Sequence, residues 1–197
     1  MSDTEGIAAE IAVMAARLIV DEGMDWGPAK QRAARELGTP RAALPGNDEV
    51  EAAVREHLAL FHADTQPAEL RALRELAARW MARLAEFRPH LAGAVWRGTA
   101  TRLSNIHLQL YCDDGKAAEI ALLNLGLNFD VGETTHRGRA VDMLVLDAPC
   151  PALRERVTLC LGILDFDDLR GALKPDAQGR TERGDLTALQ QLLDDTP

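Results

Sequence analysis

The chain has 197 residues, 47% of them hydrophobic, which is enough for one domain with a core, with or without a helical appendage. Its net charge of −9 argues against nucleic acid as a partner. No apolar run approaches the roughly 20 residues that span a bilayer, and the acidic N-terminus is not typical of a signal peptide, so we expect no membrane association. Cys112, Cys150 and Cys160 have no C-x-x-C spacing, which predicts reduced thiols in a cytoplasmic protein.

The first 88 residues carry helical patterns. Apolar residues recur at helical spacing over 4–22, over 28–37, after Asn47 and after Thr65. The last pattern has steps of three and four residues, which predicts a seam for packing against another helix or a sheet. The seam consists of Leu70, Leu73, Ala77, Trp80, Leu84 and Phe87. We therefore predict a helical N-terminal region over 1–88.

From Leu91 the pattern changes to strands. A short strand precedes a glycine-bearing turn, a polar loop and a strand in which Ile106, Leu108 and Leu110 share one face. The predictions for the remaining chain are a helix over 116–125, strands over 127–131, 140–146 and 156–164, a short helix over 167–173, a polar loop over 174–184 and a helix over 185–193. We expect the strand over 140–146 to be central and to end before Pro149.

The motif after this change has a specific spacing. The positions that carry it are Gly93, Arg97, Gly98, Thr99, Ala100, Ser104, Ile106 and Leu108. They resemble, in register, the signature of DNA polymerase β-like nucleotidyltransferases, especially the minimal bacterial members: Gly-Ser, then Arg-Gly, then Ser-Asp-Ile-Asp-Leu. The resemblance implies an α+β fold, in which the helical region packs on a small mixed-sheet core over 89–166 and a helical tail follows over 167–197.

The resemblance also implies a chemistry, and this chain lacks parts of it. Family members hold one or two Mg²⁺ ions with three aspartates, two of them one residue apart on a strand. Asn105 and His107 stand at the first two positions, and Asp142 matches the third. Because imidazole is a poor ligand for Mg²⁺, we predict weak or lost catalysis, with Asp142 and His107 as the remaining metal ligands and Mg²⁺ or Mn²⁺ needed only if the site is active.

The same resemblance assigns the phosphate-binding positions. They are Gly93, Ala94, Arg97, Gly98, Thr99 and Ser104, and Ala94 replaces the serine of the family. Arginine suits phosphate, so a nucleotide is the expected small ligand.

Three interpretations follow. The first is a degenerate nucleotidyltransferase-like protein that acts by binding a nucleotide or a partner. The second is an active enzyme with an altered metal site that transfers a nucleoside monophosphate to a protein or a small molecule. The third is an interaction module that forms a homo-oligomer or binds a protein through the N-terminal helices. Minimal members of the family often act as antitoxins beside a helical toxin chain, which implies a protein partner. We favour the first interpretation.

Overall fold

The computed structural model describes residues 2–175 and 179–195, with side chains from residue 6 onward. They form two compact units. The N-terminal unit contains the residues up to 69 together with 99–103, and the sheet unit contains 70–98 and the residues from 104 onward. These boundaries differ from 1–88, 89–166 and 167–197, because most of the fourth helix and the C-terminal tail belong to the sheet unit. Residues 176–178 of the predicted polar loop lie outside the described residues.

The predicted α+β class is confirmed. The helices are α1 (Ser2–Glu22), α2 (Trp26–Glu36), α3 (Asn47–Phe61), α4 (Gln66–Arg83), α5 (Gly93–Arg97), α6 (Gly115–Asn124) and α7 (Leu186–Asp194). The strands are β1 (His90–Ala92), β2 (Ile106–Cys112), β3 (Asp130–His136), β4 (Arg139–Cys150), β5 (Glu155–Asp165) and β6 (Arg183–Gly184). None of the described helices combines the length and the apolar character that crossing a bilayer requires.

The N-terminal unit is a helical cluster in which α1 packs against α2 and α3. Its core residues are Ile11, Ala12, Ala15, Ala16, Leu18 and Val20 from α1, Ala29, Ala33 and Ala34 from α2, and Val50, Val54 and Leu58 from α3. The alanines on α1 and α2 add little side-chain bulk, which favours close packing of these helices.

The described residues form a sheet of six strands in the order β3-β4-β5-β2-β1-β6. Among these strands, β2 and β5 pair in parallel and the other neighbours are antiparallel. The prediction of a central strand that ends before Pro149 is therefore wrong. β4 lies next to the edge strand and continues through Pro149, which pairs with Arg156. Near the end of a strand, a missing N–H removes little of the ladder.

The register of the strands defines two faces of the sheet. The Leu108 face carries the sheet core, since the side chains of β2, β4 and β5 on this face are buried over most of their length. These residues are Ile106, Leu108, Leu110, Leu144, Leu146, Leu159, Leu161 and Ile163. The opposite face, called here the His107 face, carries His107, Gln109, Gly162, Met143 and Val145. One end of it is covered, where Leu169 and Ala172 pack on Tyr111 and Leu164.

Five residues of the predicted seam are buried. Leu73, Ala77, Trp80, Leu84 and Phe87 are all at least 93% buried, and the last two lie beyond the end of α4. These five side chains are not accessible to a homo-oligomer or a partner in this conformation. Binding of a protein partner through other surfaces of the N-terminal helices stays a prediction.

The three cysteines are buried and free. Burial, followed by the charges of Asp113, Asp114 and Glu86, raises the pKa of the Cys112 thiol to about 11. Because only the thiolate reacts quickly, we expect Cys112 to be labelled by Ellman's reagent at pH 8 at least about 100-fold more slowly in the native protein than in guanidinium. Rapid native labelling of a peptide containing Cys112, read by mass spectrometry, would contradict this expectation.

Candidate functional site

The predicted turn after β1 is a short helix, α5, framed by two glycines. Gly93 has φ +70° and Gly98 has φ +83°, which is the left-handed region that favours glycine. Arg74 on α4 donates from Nε to Val95 O (3.1 Å) and from an Nη to Trp96 O (3.2 Å). These carbonyls lie at the end of the helix, where they have no helical partners. Arg74 is buried, and this burial lowers its pKa.

Trp96 attaches α5 to the edge strand β6. Its Nε1 donates to Thr181 O at 2.8 Å, and its ring lies beside Gly184. A Cβ at Gly184 would come within 3.0 Å of three ring atoms. The edge of the sheet therefore holds α5 in place beside the start of β2.

The structure places Gly93 beside His107. His107 pairs with Ala92 on β1, and a Cβ placed on Gly93 would lie 3.5 Å from Cδ2 of His107. Asn105 lies two residues before His107 and is exposed, as is His107. This part of the predicted site is an accessible surface at the beginning of β2.

Asp142 does not join them, and the prediction that it would is wrong. Met143 pairs with Gly162, which pairs with Gln109, so Met143 shares the face of His107. Asp142, one residue earlier, points to the opposite face, because successive side chains of a strand alternate. The pKa of Lys116 at the start of α6 is raised, first by its hydrogen bond to Glu119 and further by the charge of Asp142.

Asp147 is the carboxylate of β4 that shares the face of His107. It pairs with Thr158, whose Oγ1 donates to Asp147 Oδ1 at 2.8 Å. Thr158 lies two residues before Cys160, the partner of His107. Two strand spacings separate Asp147 from β2, so the backbones are about 10 Å apart. Sequence reasoning missed Asp147, although its odd offset from Asp142 is a signal that the two residues face opposite ways.

These residues do not fit the metal that the resemblance implies. Mg²⁺ requires hard oxygen ligands in a tight octahedron, whereas Asn105 and His107 contribute an amide and an imidazole. His107 and Asp142 lie on different faces of the sheet and cannot share an ion. Among the described residues, the group of three side chains that could hold a metal ion is in the N-terminal unit: Asp21, His57 and His62.

The predicted phosphate-binding positions are distributed unevenly. Gly93, Ala94, Arg97 and Gly98 form α5 and its C-terminal end, and Arg97 and Ser104 are half-buried. Thr99 groups with the N-terminal unit and is 3% exposed, so its hydroxyl is not accessible to a phosphate in this conformation. Within the described part of the chain, that hydroxyl has no hydrogen-bond partner.

Comparison with models of known families and with curated proteins finds no match to this chain.

Proposed function

We propose that the sheet unit is a nucleotidyltransferase-like module that has lost metal-dependent nucleotidyl transfer and binds a nucleotide. The replacement of the family's polar anchors by Ala94, Asn105 and His107 is the observation that carries the loss of transfer. The placement of Asp142 on the Leu108 face removes the third match and counts against the resemblance itself. Support for the scaffold comes from α5 between Gly93 and Gly98, beside a strand that starts at Ile106 in a mixed sheet.

Charge supports the loss of transfer. Three aspartates supply −3 to a pair of Mg²⁺ ions that brings +4. On the His107 face, Asn105 and His107 supply no negative charge, and the charged residues two strands away are Asp147 on β4 and Arg183, a cation in the row of His107, on β6, each at about 10 Å between backbones. Most of the charge of two Mg²⁺ ions would therefore stay uncompensated. Each missing carboxylate removes an attraction of several kcal/mol to the ions.

The proposal that the ligand is a nucleotide rests on one residue, Arg97. Arg97 occupies the last turn of α5 and matches an arginine of the resembled motif. A guanidinium binds phosphate oxygens as a planar fork and does not need a metal. The proposed binding is thus independent of divalent ions, in contrast to the second interpretation.

Calorimetric titration of the full chain with each nucleoside triphosphate, with and without Mg²⁺, tests the proposal. We expect binding of at least one nucleotide with an affinity that changes less than about threefold in EDTA. Arg97→Ala should weaken that binding about tenfold, which corresponds to about 1.4 kcal/mol. Arg35→Ala, at an exposed arginine of the N-terminal unit, is the matched control and should leave it unchanged.

Incubation with α-labelled triphosphates and Mg²⁺ or Mn²⁺ supplies the second readout. We expect neither pyrophosphate release nor labelling of the protein. Micromolar, Mg²⁺-dependent binding with turnover would establish the active-enzyme alternative instead. A failure of all triphosphates to bind, with or without metal, would refute the nucleotide as ligand.

A further inference from the structure

We propose that Asp21, His57 and His62 form a site for one divalent transition-metal ion, with Zn²⁺ as the best-suited ion, whose open coordination position faces an apolar pocket. The site lies in the N-terminal unit, and the proposal is independent of any nucleotide function of the sheet unit.

The three side chains already converge as ligands do. Nε2 of His57 and Nε2 of His62 each lie 3.1 Å from the same atom, Asp21 Oδ1. All three donor atoms lie within 4.8 Å of one another. In a tetrahedral zinc site, bonds of about 2.0–2.1 Å place neighbouring ligand atoms about 3.4 Å apart. Small side-chain rotations would therefore bring these donors to coordination distance.

The backbone explains this convergence. His57 lies in α3, and His62 is the residue that caps its C-terminal end, with φ −129°. The chain leaves the helix there, so a residue five positions later returns to the side of His57, and their ring centroids are 5.8 Å apart. Asp21 reaches them from the last turn of α1, which packs against α3. The H-x₄-H spacing matches no helical metal motif and therefore gave no signal in the sequence.

The chemistry of the donors selects the class of ion. Two imidazoles and one carboxylate suit Zn²⁺ and its transition-metal neighbours and are a poor set for Mg²⁺ or Ca²⁺. Arg17 approaches the other oxygen of Asp21, Oδ2, at 3.9 Å and leaves Oδ1 for the ion.

A pocket lies beside the three donors. Its volume is about 910 Å³, and Asp21, His57 and His62 are part of its wall. The rest of its wall is mostly apolar and consists of Ala9, Val13, Met14, Leu37 and Phe61, with Glu10 and Arg17. Three protein ligands leave one tetrahedral position for water or another small ligand, which is the arrangement of catalytic rather than structural zinc sites.

Titration of the chelator-treated full chain with ZnCl₂ by calorimetry tests the site. We expect one ion per chain with a dissociation constant of about 10 μM or tighter. Asp21→Asn, His57→Gln and His62→Gln should each weaken binding at least about tenfold. Asp64→Asn, at an exposed aspartate two residues after His62, is the matched control and should bind as the wild type does.

Two further measurements keep the test decisive if a variant unfolds. Zinc at 100 times its dissociation constant should stabilise the wild type by mass action and raise its melting temperature. X-ray absorption of the zinc-loaded wild type should show two imidazoles, oxygen ligands and no sulfur. Three results would overturn the proposal. They are sulfur ligands to the ion, unchanged binding in Asp21→Asn and His57→Gln, and no saturable binding below about 100 μM.

Discussion

Gly184→Ala is expected to lower the free energy of unfolding by about 3 kcal/mol, because the added methyl group overlaps the ring of Trp96. The ring cannot move away without breaking its hydrogen bond to Thr181 O or shifting α5. Urea unfolding followed by circular dichroism measures the loss. The matched control is Gly162→Ala on the central strand β5, where a Cβ meets no atom closer than 3.9 Å, and we expect a change below about 1 kcal/mol there.

A double-mutant cycle identifies the clash as the cause. If the overlap with the ring is responsible, Gly184→Ala should cost far less in a Trp96→Leu background, and the two changes should be non-additive by at least about 1 kcal/mol. Additive effects, or equal losses for Gly184→Ala and Gly162→Ala, would show that Trp96 does not press on β6 in solution.

The long regular elements β5 and α4 could be predicted because each carries its own period, whereas β3 begins later than predicted and β6 lies in the predicted polar loop. The alternation of Val157, Leu159, Leu161 and Ile163 places one buried face on β5, and all four residues are at least 92% buried. The helical steps on α4 likewise predict its buried stripe. In both cases the signal is local, since it depends only on which residues a single strand or helix turns towards the core.

The helix α5 could not be predicted in the same way. Five residues are too few to show a helical period, and its stability depends on distant partners. Arg74 satisfies its last carbonyls from 21 and 22 residues away, and Trp96 bonds a carbonyl 85 residues away. Nothing in the local sequence from Gly93 to Gly98 encodes these contacts, so the glycines alone suggested a turn.

The candidate sites show the same limit. The motif placed Gly93 beside His107, because strand and loop are adjacent in the chain. The face on which the third carboxylate, Asp142, lies is fixed by the pairing of β4 with β5. That pairing depends on strand length, so it could not be predicted from the motif. The cluster of Asp21, His57 and His62 joins α1 to α3 and likewise depends on tertiary packing.

Restoring the two missing aspartates should show whether Asp147 or Asp142 contributes more to metal binding. Asn105→Asp with His107→Asp adds one carboxylate to the His107 face of β2 and a second one just before that strand begins. We expect this double variant to bind Mn²⁺ at least about tenfold more tightly than the wild type, since each added charge attracts a divalent ion by about 1 kcal/mol or more. Calorimetric titration or the loss of the free Mn²⁺ resonance measures the gain.

In that background, Asp147→Asn should remove part of the gain and Asp142→Asn should leave it. Asp147 lies on the His107 face, two strands from β2, where a charge at about 10 Å attracts a divalent ion by about 1 kcal/mol before salt screens it. Asp142 lies on the other face of the sheet and in the row of Leu110. Its distance from an ion bound beside residue 107 exceeds the Debye length of about 8–10 Å, so salt screens the attraction between them. A larger effect of Asp142→Asn would mean that the side chains alternate in the opposite sense along β4, and it would restore Asp142 as the third ligand.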